Sequence, residues 1–286
     1  MVKPIPESEL LINPDGSIYH LNLKPGQVAD TVIAVGDPDR VGKISRYFDT
    51  VELKVRKREF VTHTGTFQGK RLSVISTGMG TDNVEIFMTE LDALFNVDFA
   101  TRLPKPNPQR LTIIRVGTSG SVRAEIPEDS LLLSDYALGL DTLMAFYKLP
   151  QTDLEQELSF QARSGLKLPF MPYCVQGSAV VRTKFSELPS GITVTCPGFF
   201  GPQGRKVRLN PVFTDIFDQL AKINVNGLQC SNFEMETAGY YAMGRLLGHE
   251  TISLNAIIAN RITKNVSSSP EELMERLIAV VLEKIG

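Results

Sequence analysis

No run of this sequence comes near the ~18 consecutive apolar residues that a membrane-crossing helix requires. Its first residues, Met1-Val2-Lys3-Pro4-Ile5-Pro6, contain no apolar leader core either. Both absences point to the cytoplasm and away from a membrane. Excess charge is also missing: 30 Lys and Arg against 32 Asp and Glu leave a formal −2. That is too little for a nucleic-acid coat or for adhesion to an anionic lipid surface. Cysteine and histidine are sparse and scattered. Cys174, Cys196 and Cys230 form no C-x-x-C pair, and His20, His63 and His249 lie far apart. Neither a disulfide framework nor a zinc site is therefore expected, and the thiols are expected to be buried and reduced. The chain shows no internal repeat and no low-complexity tract.

What is present suits a globular protein: 286 residues, 42% hydrophobic and 22% charged, enough to bury a core. Short apolar runs at 31–36, 111–116 and 251–259 read as buried strands, with further strands at 52–58, 129–136 and 192–196. Segments 61–67 and 71–76 flank Gln68-Gly69-Lys70 and read as a hairpin. After Thr77-Gly78-Met79-Gly80, the residues Val84, Phe87, Met88, Leu91, Leu94 and Phe95 mark one helical face, with Asp82 or Asn83 able to cap its start. Helical periodicity also covers 211–223 and 235–247, and Ser269-Pro270-Glu271-Glu272 reads as a capping box opening a last helix. Three prolines between Pro104 and Pro108 mark a loop, read as a surface excursion rather than a linker. Strands alternating with helices imply an α/β protein with a mixed sheet covered on both faces, organised as one domain over 1–286.

Three arginines in short punctuated segments carry the chemistry: Gly36-Asp37-Pro38-Asp39-Arg40, Arg58-Glu59-Phe60, and Arg115-Val116-Gly117-Thr118-Ser119-Gly120. Guanidinium forks grip phosphate bidentately, and glycine lets backbone N–H groups approach an anion. Each arginine alone is equally compatible with a surface ion pair. Thr77-Gly78-Met79-Gly80, between strand and helix, fits half of a phosphate cradle or a plain tight turn. As a dinucleotide fingerprint it fails, because Asn83 occupies the third glycine position. Glu234-Met235-Glu236 at a helix start suits either the helix dipole or the vicinal hydroxyls of a sugar. The loop Phe199-Phe200-Gly201-Pro202-Gln203-Gly204-Arg205 offers aromatic walls, one amide and one guanidinium, a set able to read a pyrimidine-2,4-dione.

With these motifs together, the sequence resembles the nucleoside phosphorylase-I superfamily from about Tyr19-His20-Leu21 to Ile258-Ala259-Asn260-Arg261. Within it the Gln203–Arg205 spacing resembles the uridine-specific branch. The resemblance implies a three-layer α/β/α sandwich with a central mixed sheet. It also implies reversible phosphorolysis of uridine, with deoxyuridine or thymidine as further candidates, to uracil and a pentose 1-phosphate in pyrimidine salvage. Residue by residue, it implies that Gly36, Arg40, Arg115 and Thr118 hold phosphate, with Arg58 reaching a neighbouring subunit's site. Glu234, Met235 and Glu236 would hold the ribose, and a neighbour's His20 its 5′-hydroxyl. Phe199, Gln203, Arg205 and Arg261 would hold the base. Arg40, Arg115, Glu236 and Arg205 are then the expected catalytic set.

The same resemblance implies a homo-oligomer, a dimer at minimum and a hexamer as an option. It implies no organic cofactor: phosphate is a co-substrate. Glu59 and Met79 are compatible with a monovalent cation between subunits, although Asn83 replaces the serine of that pattern. The rival readings are a purine nucleoside phosphorylase and a non-catalytic nucleoside-binding module. The first lacks its acid here, since the late strand ends Ala259-Asn260-Arg261.

Overall fold

The computed structural model describes residues 3–286; Met1 and Val2, the start of the segment read as lacking a leader, lie outside it. In chain order the strands are β1 (Thr31–Val35), β2 (Thr50–Lys57), β3 (Phe60–Phe67), β4 (Lys70–Ser76), β5 (Val97–Asp98), β6 (Leu103–Pro104) and β7 (Thr112–Ser121). There follow β8 (Leu131–Gly139), β9 (Tyr173–Gln176), β10 (Ser190–Thr195), β11 (Asn224–Val225), β12 (Leu228–Glu234) and β13 (Glu250–Asn260). The helices are α1 (Pro38–Ser45), α2 (Thr81–Asn96), α3 (Asp153–Leu166), α4 (Ala179–Arg182), α5 (Ile216–Lys222), α6 (Thr237–Leu247) and α7 (Pro270–Ile285). Among the described residues, no helix is long and apolar enough to cross a membrane.

Eleven strands form one mixed sheet in the order β11-β12-β10-β8-β13-β7-β1-β4-β3-β2, with β9 on β8. Strands β4, β1, β7 and β13 run parallel. Their β-branched runs are buried on both faces, which is why they read as continuous apolar segments. The sheet also closes on itself. β12 pairs antiparallel with β7, Asn232 opposite Ser121 and Phe233 opposite Gly120, so β7, β13, β8, β10 and β12 make a ring that the sequence reading did not contain. This antiparallel step carries the end of β12 back along β7 toward Arg115, and that is what builds the site.

Local signals were overridden at several ends. α2 starts at Thr81 with Gly80 as its N-cap and no capping side chain, so neither Asp82 nor Asn83 caps it. The Glu236 carboxylate instead accepts the Gly80 N–H at 2.8 Å. Ser269 precedes α7 without a capping bond, although Pro270 does open the helix. The helix expected over 211–223 forms only from Ile216, and that expected over 235–247 only from Thr237, because Glu234 completes β12. The proline-rich segment pairs briefly, β6 on β5, and is otherwise exposed, as a surface excursion should be. All three cysteines are free and buried, and burial pushes the Cys230 thiol up to about 12.

Candidate active site

A cavity of about 850 Å³ opens at the C-terminal ends of β1, β4 and β13, beside the second half of β7. Ligand crevices of parallel sheets sit outside such strand ends. Gly36 leaves β1 at its floor, and a Cβ there would come within 3.3 Å of the Gly78 carbonyl oxygen, so two backbones meet closely. Arg40 follows on the first turn of α1, whose N-cap Asp37 accepts the Asp39 N–H at 2.9 Å. Its Nη1 donates to the Val116 carbonyl at 3.2 Å. Burial, offset in part by Asp37, lowers its affinity for a proton.

Arg115 lies within β7, as the apolar run 111–116 suggests, but the strand does not stop at the glycines that follow and runs on to Ser121. The strand continues through Gly117 because the guanidinium folds back over that residue: a Cβ at 117 would lie 2.1 Å from Nη1 and 2.5 Å from Cζ. Two carboxylates hold it there. Nη2 donates to Glu236 Oε2 at 2.6 Å and lies 2.9 Å from Glu234 Oε2, while Nη1 reaches Asn255 Oδ1 at 3.2 Å. Burial works against this charge, but the two glutamates outweigh it and raise the pKa of Arg115 above the usual arginine value. Burial pushes the Glu236 carboxyl upward and Glu234 adds to the effect, against the pull of Arg115.

The two glutamates differ in what remains open. Glu234 is saturated: Oε2 accepts the Glu236 and Thr237 N–H groups at 2.9 Å each, and Oε1 accepts the Thr195 hydroxyl at 2.6 Å. It therefore caps α6 and orients its neighbours. Glu236 spans Gly80 and Arg115, and with Met235 it lines the cavity. The Gly80 N–H that the sequence offered to an anion is thus already taken by a protein carboxylate.

On the opposite wall stand Phe199, Gln203 and Arg205. Gln203 is only 2% exposed. Arg205 Nη1 donates to Gln203 Oε1 and, at 2.6 Å, to the Phe199 carbonyl. Its guanidinium lies 3.7 Å from the Phe199 ring centroid. Burial and then the neighbouring Arg261 bring its pKa down to about 10. Arg261 stands behind, against the rings of Phe217 and Phe233, and its Nη1 reaches the Gln203 carbonyl at 3.4 Å.

Ten of the thirteen residues singled out from sequence line this one cavity: Gly36, Arg40, Arg115, Thr118, Phe199, Gln203, Arg205, Glu234, Met235 and Glu236. Arg261 does not line it but stands behind two residues that do, Gln203 and Phe233. His20 and Arg58 stand outside their own chain's cavity. Glu90 Oε1 holds His20 Nδ1 at 2.6 Å, and Arg58 is exposed at a left-handed φ of 54° between β2 and β3. The sequence reading missed the wall formed by Val266, Ser267 and Pro270. Of these only Pro270 entered the sequence reading, as the first residue of the last helix. Together the cavity offers a cationic pole, a carboxylate at mid-depth, and an amide–guanidinium pair between aromatic rings.

The chain is similar in sequence and in structure to known proteins. A family model described as "Phosphorylase superfamily" matches residues 30–283. A uridine phosphorylase of Thermococcus kodakarensis is 30% identical over 275 residues, covering 95% of this chain and 88% of its own length. A purine nucleoside phosphorylase, DeoD-type, of Bacillus velezensis is 34% identical over 255 residues, covering 88% and 91%. A solved nucleoside phosphorylase of Trypanosoma brucei, described as showing uridine phosphorylase activity, superposes with a TM-score of 0.89 at 27% identity. That match covers 96% of this chain and 99% of the other.

Proposed function

The chain belongs to the phosphorylase superfamily, and from that premise we propose that it is a uridine phosphorylase, a pentosyltransferase that converts uridine and phosphate to uracil and ribose 1-phosphate. The observation that carries this reading is the placement of Gln203 and Arg205 in the same cavity as Arg40, Arg115 and Glu236. An amide and a guanidinium match the ring N–H and carbonyls of uracil. In the structure they satisfy each other, so the base enters by exchanging that internal bond for its own. The relatives named for uridine phosphorylase support the same choice.

Phosphate, oriented by Arg40 and Arg115 with Gly36 and Thr118, attacks C1′ as the N-glycosidic bond breaks. No protein nucleophile is needed. The bonding pair leaves on uracil, whose charge spreads over its carbonyls, and Arg205 with Arg261 behind it stabilises charge that develops in the transition state. Uracil then takes a proton at the ring nitrogen. Glu236 and Met235 fix the sugar, and Glu234 acts by holding Glu236 and Arg115 in place. Phosphate is a co-substrate and no other cofactor is called for. His20 and Arg58 serve the site of a neighbouring subunit, which makes a homodimer the smallest competent unit.

The purine alternative draws on the Bacillus velezensis relative, but the end of β13 offers no acid to protonate a purine. Asn260 stands there with both ends engaged. Its Nδ2 donates to the Arg123 and Ile126 carbonyls, and its Oδ1 accepts the Ile262 and Thr263 N–H groups, all at 2.9 Å.

The test is product release from uridine with and without phosphate, and from inosine as the rival. Phosphate-dependent uracil and ribose 1-phosphate are expected. Free ribose without phosphate, or turnover of inosine alone, would overturn the reading. Gln203→Ala is expected to lower kcat/KM for uridine by about 10–150-fold, the worth of one strong buried hydrogen bond, and to narrow the preference over cytidine. Unchanged selectivity would sink this account of base recognition.

A further inference from the structure

A second cavity, of about 1000 Å³, lies on the other side of the Phe199–Arg205 loop and meets the first only at Arg205. Its outer wall is the irregular stretch that precedes α5, where a helix was expected. Flat, rigid side chains, among them Phe170, Pro197, Phe200, Pro202 and Phe213, share the lining with aliphatic Leu, Val and Ile. Such surfaces favour planar aromatic guests, through area buried and through offset or edge-to-face ring contacts. Charge in the lining is of one sign only. Lys167, Arg205 and Arg208 border the cavity, and no Asp or Glu does. Asp215, close enough to feel Lys167, bonds Gln219 at 2.6 Å and stays off the wall. Arg205 is held only by the Phe199 carbonyl and by Gln203 Oε1 among the described residues, with no carboxylate partner.

We propose that this cavity binds a planar aromatic carboxylate, its ring between the phenylalanine and proline walls and its anion on Arg205, with Lys167 and Arg208 at the rim. Arg205 serves both cavities. A carboxylate that draws its guanidinium toward the apolar side takes it from Gln203 and from the base pocket, so an occupied cavity opposes uridine. The binding half of this inference stands on the cavity itself, while the antagonism also rests on the base-recognition reading above.

Naphthoate is the probe, titrated into the full chain by calorimetry, with naphthylmethylamine as the cationic counterpart. Binding of naphthoate and not of the amine is expected. The double variant Lys167→Glu/Arg208→Glu, at exposed rim positions, is expected to weaken it about tenfold, as two modest attractions become repulsions, while leaving uridine turnover unchanged. Saturating phosphate is expected to leave naphthoate affinity unaltered. Displacement by phosphate would put the probe on Arg40 and Arg115 and overturn the second site, as would equal binding of amine and acid or an indifferent double variant. In turnover assays naphthoate is expected to raise KM for uridine. If it binds as described yet leaves KM unmoved, the antagonism fails and the site stands. Because binding is read by heat, a chain that failed to cleave uridine would still test the site.

Discussion

Replacing Arg115 with alanine is expected to cost about a thousandfold in kcat/KM for uridine, in the range seen when a preorganised donor is removed from a buried site. A second loss accompanies it. Glu234 and Glu236 share the guanidinium at 2.9 and 2.6 Å, and all three side chains are less than one-tenth exposed. Taking away the cation strands two carboxylates in a poorly solvated interior, and breaking a buried pair in this way destabilises by about 3–5 kcal/mol. Urea unfolding at neutral pH measures that part. Arg115→Lys separates the contributions: it keeps the charge but loses the fork that spans both carboxylates. It is expected to recover most of the stability while activity stays low. If Arg115→Ala kept both its urea midpoint and its phosphate KM, the central position given to this residue would be wrong.

Gly117→Ala is expected to lower kcat/KM by about a hundredfold, the order of effect that a displacement near one ångström produces in an oriented site. The glycine is needed because the guanidinium of Arg115 crosses above it, not because the backbone is unusual. An added Cβ would lie 2.1 Å from Nη1 and 2.7 Å from Nη2. The far end of a long side chain can move aside, so the fold survives, but moving aside means leaving Glu234 and Glu236. Stability should therefore fall by less than in Arg115→Ala, while KM for phosphate rises. A variant with native kinetics would show that the arginine need not occupy this position.

Much of the scaffold was legible because its signals are local. The runs that became β1, β7 and β13 are buried almost throughout and carry few charged residues, with β1 nearly all β-branched. The apolar face of α2 recurs at helical spacing and is buried as expected at Val84, Phe87, Met88, Leu91 and Leu94. The residue types that line the cavity were legible too, since arginine, glutamine and paired glutamates each have few uses in such settings. Their mutual arrangement was not. The Gly80 N–H looked open to an anion because the carboxylate that occupies it lies 156 residues away. Gly117 looked like the end of a strand because a glycine there is normally punctuation, whereas here it is clearance for the Arg115 side chain. α3 is absent from the sequence reading although its start is marked by the capping box of Thr152 with Glu155, a purely local pattern.

The β7–β12 contact bears on how the protein comes into being. Arg115 and Glu236 are 121 residues apart, and β13, the strand that lies between β7 and β8, ends only at Asn260. During synthesis, the early half can dock β1 to β4 and α2, but the place for a phosphate group does not exist until the last strand has been made and inserted. Long-range pairings of this kind are slow to form, because chain entropy is lost before the contacts are gained. A chain that stops short of β13 is therefore expected to be inert rather than partly active.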